Sequence, residues 1–223
     1  MLDVLLPQRC LVCGAGGAQL CDACRIGLPL LRPPLCERCG APTSWPVARC
    51  RECSGRRLAF AWARAAAAYD EPVRRLVAGW KERGLRRLAD DLAEVVLARL
   101  PPTEAGLVTF VPADRGRLAE RGHHPAERLA QALAGRLGLP CEPALERTGR
   151  ARRQRGLSLA ERRRNAAGAF GATAQVSETV LLVDDVYTSG STVSAAAEAL
   201  RAAGAGRVDV ATFARTIRLN RAT

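Results

Sequence analysis

The chain is short of lysine: of its 34 basic side chains one, Lys81, is lysine and the other 33 are arginine. Aromatic residues make up only 4% of the chain. That is too few to build a platform on which successive bases stack, so sequence-reading of single strands by stacking is not expected. No stretch approaches the roughly 20 consecutive apolar residues that a membrane-spanning helix requires. The first ten residues, MLDVLLPQRC, hold a short apolar run with no basic region before it, which argues against a secretory signal. Neither G-x-x-x-x-G-K-[ST] nor G-x-G-x-x-G occurs, which excludes two common glycine-rich nucleotide loops. Acids are few beside the bases, 22 against 34, leaving a net charge of +12 and a pI near 10.2. A surface of that sign favours an anionic partner: nucleic acid, a phosphorylated small molecule or an acidic protein face. In a chain that uses arginine almost everywhere else, the one lysine marks a position where a compact ammonium is needed.

What the chain has in excess is cysteine at its start. Eight of nine cysteines lie within the first 53 residues, as Cys10-x-x-Cys13, Cys21-x-x-Cys24, Cys36-x-x-Cys39 and Cys50-x-x-Cys53. Without an export signal the expected compartment is the reducing cytoplasm, where metal binding explains such spacing better than disulfides do. Each C-x-x-C places two thiolates on one ion, and two of them close a tetrahedral, structural zinc site with no open position. Eight ligands imply two Zn²⁺ ions. Pairing neighbouring motifs is the simplest arrangement; an interleaved pairing satisfies the spacing too. A module this small buries little core, whereas zinc binding is worth about 10–16 kcal/mol to such modules.

The composition changes near residues 54–60 and divides the chain into a cysteine module, 1–57, and a larger unit, 58–223. In the larger unit helical and strand patterns alternate. Val73, Leu76, Val77 and Trp80 recur at helical spacing, and a second stripe runs from Leu85 to Leu100, stopped by Pro101. Leu107–Val111, Val180–Val183 and Val208–Phe213 read as buried strands; Pro125–Leu137 and Ser191–Ala203 read as helices. The expected fold is α/β, with a mainly parallel sheet flanked by helices.

The segment Val180–Thr192, VLLVDDVYTSGST, concentrates the chemistry. A buried strand ends in two acids, Asp184 and Asp185, and a polar loop leads into a helix. A helix N-terminus offers unpaired N–H groups and a positive dipole end, both suited to a phosphate. Gly190 permits close backbone approach, and Thr188, Ser189, Ser191 and Thr192 add hydroxyl donors. The two carboxylates can accept hydrogen bonds from two ribose hydroxyls and help hold Mg²⁺.

This segment resembles the phosphoribosyl diphosphate (PRPP) signature of type I phosphoribosyltransferases. With the four cysteine pairs, Trp80-Lys81-Glu82-Arg83-Gly84, VPADRGRLAERGHHPAERLA (111–130) and Gln154-x-x-Leu157…Glu161-Arg162-x-x-Asn165, the chain is similar to the ComF family of competence proteins. The resemblance implies that Asp184 and Asp185 hold the ribose hydroxyls and that Thr188–Thr192 cradle the 5-phosphate. It also implies Mg²⁺–PRPP as ligand, Lys81 with Arg117, Arg121 and Arg162 on the diphosphate, and transfer to a nitrogen acceptor. The alternative reading is a non-catalytic accessory protein for single-stranded DNA or a protein partner. Partners implied are a competence helicase or other uptake proteins, at the inner face of the membrane. The chain departs from the family where VP-x-H and RGFNQ are common: it reads Val111-Pro112-Ala113-Asp114 and Arg121-Gly122-His123-His124. His123 and His124 are expected as surface or capping groups rather than acid–base groups. The arginine-rich stretch 147–164 is expected as a diphosphate flap, a strand-binding surface for DNA, or a solvated, partly disordered loop.

Overall fold

The computed structural model describes residues 8–82, 85, 87–148, 168–176 and 178–217, with the side chains of Arg115 and Arg117 left out. The elements are α1 (Asp22–Ile26), β1 (Ala63–Ala68), α2 (Glu71–Glu82), α3 (Leu88–Leu97), β2 (Leu107–Phe110) and α4 (Arg115–Arg121). There follow α5 (Pro125–Leu137), β3 (Leu145–Arg147), β4 (Phe170–Ala172), β5 (Thr179–Tyr187), α6 (Ser191–Ala202) and β6 (Arg207–Arg215). Four strands form a parallel sheet in the order β1-β6-β5-β2, and β3 pairs antiparallel with β4.

Successive residues of β5 enter different cores, as the two-residue period of a strand requires. Leu181 and Val183 pack with α2, α3 and α5; Val180 and Leu182 pack with α6 and with Cys36, Cys39 and Cys53 of the cysteine module. Helices on both faces explain why the strand is apolar without alternation. The helix ends follow local chemistry. Pro125 opens α5, and Gly138, at φ +68°, ends it in the left-handed region that glycine adopts freely.

The alanine-rich β1 was not legible in the sequence. Its outer edge is covered by the cysteine module: Leu31 N–H bonds Ala66 O, Ala68 N–H bonds Pro29 O and Ala63 N–H bonds Arg38 O, all at 2.9 Å. Small side chains permit that close approach; a β-carbon on Gly40 would lie 2.4 Å from Ala63 O. An exposed strand edge is thereby closed.

Candidate functional site

The C-terminal ends of the parallel strands carry the chemistry, as is usual for open α/β sheets. β2 leads into Val111-Pro112-Ala113-Asp114; β5 presents Asp184 and Asp185; the last turn of α2 presents Lys81. Arg121, His124, Arg147 and Thr192 complete a cleft of about 210 Å³. Lys81 Nζ lies 2.7 Å from Asp185 Oδ2. The single lysine and the acid pair, about a hundred residues apart in sequence, thus meet in one place.

The acid pair is unevenly held. Burial, with Asp185 alongside, pushes the Asp184 carboxyl up to about 7, while the Asp185 N–H, Lys81 and Arg147 pull it back. The Asp185 N–H bonds Asp184 Oδ1 at 2.9 Å. Two carboxyl groups lining one cleft favour a cation or hydroxyl donors there.

Strand β5 is longer than the expected Val180–Val183. β6 runs equally far beside it, so Asp184 stands opposite Thr212, Val186 opposite Ala214 and Tyr187 opposite Arg215. The acids therefore belong to the sheet, not to a loop, and the turn itself is Thr188–Gly190. Within it Ser189 and Ser191 hydroxyls lie 3.0 Å apart, and Ser191 N–H reaches Ser189 Oγ at 3.3 Å. Gly190 sits at φ +72° as the N-cap of α6 and has no side chain to occupy that N-terminus. Of the loop residues, Thr192 lines the cleft wall.

The histidines are buried, which corrects the surface placement, but the capping role is found for His124. Its two ring nitrogens face main-chain N–H groups of Glu127 at 3.1 Å and Ala113 at 2.6 Å. A neutral imidazole has one acceptor nitrogen; an imidazolium has none. Burial pushes the ring's pKa down, against the pull of Glu127 and Asp185 and with the push of Arg147. The unfolded ring takes a proton near the ordinary histidine value and the folded ring resists it. The stability this ring contributes is therefore present above that pH and lost as pH falls below it. Urea unfolding at about pH 7.5 and about pH 5.5 should show a loss at the lower pH that shrinks in His124→Asn, which keeps a cap acceptor. An unchanged pH dependence in the variant would contradict this. His123 links neighbouring elements instead, its ring nitrogens lying 2.7 Å from Trp80 O and 3.0 Å from Arg121 O.

The cysteines form two clusters, Cys10–Cys13–Cys21–Cys24 and Cys36–Cys39–Cys50–Cys53, each with sulfurs within 4.8 Å of one another. Neighbouring motifs pair, and the interleaved alternative falls. The Cys13 and Cys21 sulfurs are 3.7 Å apart in the first cluster; in the second, Cys39–Cys50, Cys36–Cys53 and Cys50–Cys53 are 3.5, 3.6 and 4.0 Å apart. A tetrahedral zinc ion with bonds of about 2.3 Å sets its sulfurs about 3.8 Å apart, so both clusters fit the ion.

Residues 1–54 match the double zinc ribbon domain and residues 118–221 the phosphoribosyl transferase domain. The chain is 30% identical over 209 residues to the DNA utilization protein YhgH of Salmonella typhi, covering 89% of this chain and 91% of that one. The chain belongs to the ComF family. It is also 28% identical over 212 residues to competence protein F of Haemophilus influenzae, covering 88% and 90% of the two chains. Among solved structures, the glutamine PRPP amidotransferase of B. subtilis, complexed with ADP and GMP, aligns at 27% identity and TM-score 0.37. That alignment covers 56% of this chain and a quarter (25%) of the other.

In this ComF protein the two zinc ribbons and the transferase-type sheet are thus joined, and the cleft collects Lys81, Arg121, Asp184, Asp185 and Thr192 from the expected residues. Arg117 lies on α4 with its side chain outside the described residues, as are Arg83, Gly84, Gln154, Leu157, Glu161, Arg162, Asn165 and all of 149–164. Arg147, the first residue of the arginine-rich stretch 147–164, is the described arginine of that stretch and lines the cleft. It donates from Nε to Pro112 O at 2.8 Å, and its guanidinium lies 4.9 Å from the centre of the Phe170 ring. The arginine-rich composition marks the stretch, while the place of Arg147 at the end of the three-residue strand β3 is a tertiary fact.

Proposed function

We propose that the cleft binds Mg²⁺–PRPP and that the protein acts in DNA uptake, as the names of its relatives, competence protein F and DNA utilization protein YhgH, suggest. Asp184 and Asp185 accept the ribose hydroxyls, and Thr188–Thr192 take the 5-phosphate. Lys81 and Arg121 face the diphosphate, and the family resemblance assigns Arg117 to it as well. The observation that carries the reading is the meeting of Lys81 with Asp185 at 2.7 Å inside a cleft that also holds Asp184, Arg121 and Thr192. Mg²⁺ suits this donor set, because it binds through one or two carboxylates together with phosphate oxygens and keeps part of its water shell. If transfer follows, charge grows on the departing diphosphate, and the fixed cations Lys81 and Arg121 stabilise it. The acceptor is a nitrogen nucleophile. Residues 1–57 act as the zinc module and 58–223 as the PRPP unit, with the cytoplasm as the site of action.

A second reading is favoured by the charge of +12: binding of PRPP as a signal by a non-catalytic accessory protein that contacts single-stranded DNA or an uptake protein. Incubation with Mg²⁺ and PRPP, with ammonia, bases or an oligonucleotide, separates the two. Pyrophosphate release supports transfer; a raised melting temperature with no release supports binding alone. DNA affinity that falls steeply with salt supports phosphate-backbone contact, and no binding at low salt removes the DNA branch.

Asp185→Asn removes the carboxylate charge facing both Lys81 and the ribose. Calorimetry should show PRPP affinity lower by about tenfold, the scale of one charged hydrogen bond lost, with zinc content unchanged. Native affinity in this variant would remove Asp185 from the site.

A further inference from the structure

Arg215, the last residue of β6, is among the largest side chains buried in the molecule, 1% exposed. A buried guanidinium is tolerated only with good partners. One donor reaches Cys39 O at 2.5 Å and another reaches Glu52 Oε2 at 2.9 Å; both partners belong to the second zinc ribbon. The guanidinium carbon lies 5.0 Å from the centre of the Tyr187 ring. Tyr187 is itself packed edge-on against Phe60, with ring centres 6.4 Å apart. The far end of that ring lies under the phosphate loop: its hydroxyl is 2.1 Å from where a β-carbon on Gly190 would stand. The residue after β6 is tied to the end of β5 by Thr216 N–H to Tyr187 O at 3.0 Å and to the loop by Thr216 Oγ1 to Thr188 O at 3.1 Å. Ala59 N–H, just beyond the ribbon, bonds Ser194 Oγ in the first turn of α6 at 3.2 Å.

We infer that the second zinc centre positions the phosphate loop, with Arg215 as the positioning residue between them. The charge argument points the same way. Zinc with four thiolates carries two net negative charges, and Arg215 is a fixed cation hydrogen-bonded to the carbonyl of one of its ligands. With the ion in place, Cys39 and Glu52 hold the guanidinium, the guanidinium holds the Tyr187 ring, and the ring sets the height of Gly190. Arg215 does not touch the ligand. The inference rests on the reading that loop 188–192 takes the 5-phosphate.

Two sites joined in this way must report on each other equally. The test therefore measures ribose 5-phosphate affinity by calorimetry, and zinc release to a chromogenic chelator with and without saturating ribose 5-phosphate. The proteins are native, Arg215→Met, Arg215→Lys and Glu52→Gln. The expected result is affinity lower by about tenfold in Arg215→Met with both zincs retained, a typical coupling strength, and partial rescue in Arg215→Lys. In the native protein the sugar phosphate should tighten one zinc of the two by a similar factor, read at equilibrium as the chelator concentration needed to remove it, and Glu52→Gln should weaken that protection. If Arg215→Met does not fold, protection in native protein against Glu52→Gln decides. Binding within twofold of native in the variants, with no protection of zinc, would overturn the inference. Absence of any ribose 5-phosphate binding to native protein would instead overturn the loop assignment, and this inference with it.

Discussion

Exchange of Cys36 for serine is expected to cost the protein its second zinc ion and much of its fold. Cys36 is fully buried, and its sulfur lies 3.6 Å from Cys53 Sγ and accepts the Cys50 N–H at 3.2 Å. Serine is a poor zinc ligand, and a structural zinc site contributes about 10–16 kcal/mol, as much as the whole stability of an ordinary domain, about 5–15 kcal/mol. The loss does not stay local. Cys36, Cys39 and Cys53 share one core with Phe60, Leu182 and Val193, so an empty second ribbon opens one face of the sheet. Cys13→Ser is the contrasting case. Cys13 is exposed, and the first ribbon has one buried cysteine, Cys10, against three in the second; it reaches the opposite core beside α2 through Leu20, with Leu11 packed alongside and Arg75 bonding Val12 O. Metal analysis should find one zinc per chain in either variant that can be isolated. Calorimetry should place Cys36→Ser lower by about 10 °C or more, since about 1 kcal/mol shifts a chain of this size by 2–4 °C, with a smaller drop for Cys13→Ser. Equal melting of the two variants would contradict the shared core.

The contrast between β5 and β1 shows what the sequence carries and what it does not. The run Val180–Val183 is apolar because both of its faces are covered, and the pattern alone announces a strand. Its extension through Asp184–Tyr187 is not announced, because acids are poor strand formers; it exists because β6 continues beside it. Ala63–Ala68 reads as helix by propensity and is a strand because the parallel partner β6 and residues 29–31 and 38 of the zinc module bond its two edges. The site divides in the same way. Lys81, the acid pair and the glycine turn were legible from residue types and spacing. Arg147 was legible only as the first of an arginine-rich stretch, and Arg215 not at all: among so many arginines, nothing local marks one that is buried. The residues that the proposed site takes from sequence pattern are readable, and those that hold them in place come from distant chain segments.

Gly190→Ala tests the loop where its geometry is tightest, and it is expected to remove ribose phosphate binding. Two separate effects act. At φ +72° an alanine pays the left-handed penalty of about 1–2 kcal/mol. Its β-carbon would also lie 2.1 Å from the Tyr187 hydroxyl and 2.4 Å from the ring carbon bearing it. The ring cannot swing away, because Arg215 covers one side and Phe60 meets it edge-on. The turn must therefore lift, which moves the Ser191 N–H off Ser189 Oγ and misaligns the first N–H groups of α6. Phosphate affinity depends on those groups converging on one point, so a loss of at least about a hundredfold is expected, on the scale of a few kcal/mol. The double variant Tyr187→Phe/Gly190→Ala separates the causes. It removes the hydroxyl but leaves the ring carbon, so it should regain a small part of the affinity at most. Calorimetry with ribose 5-phosphate reads all three proteins, and native-like binding by Gly190→Ala would remove the turn from the phosphate site.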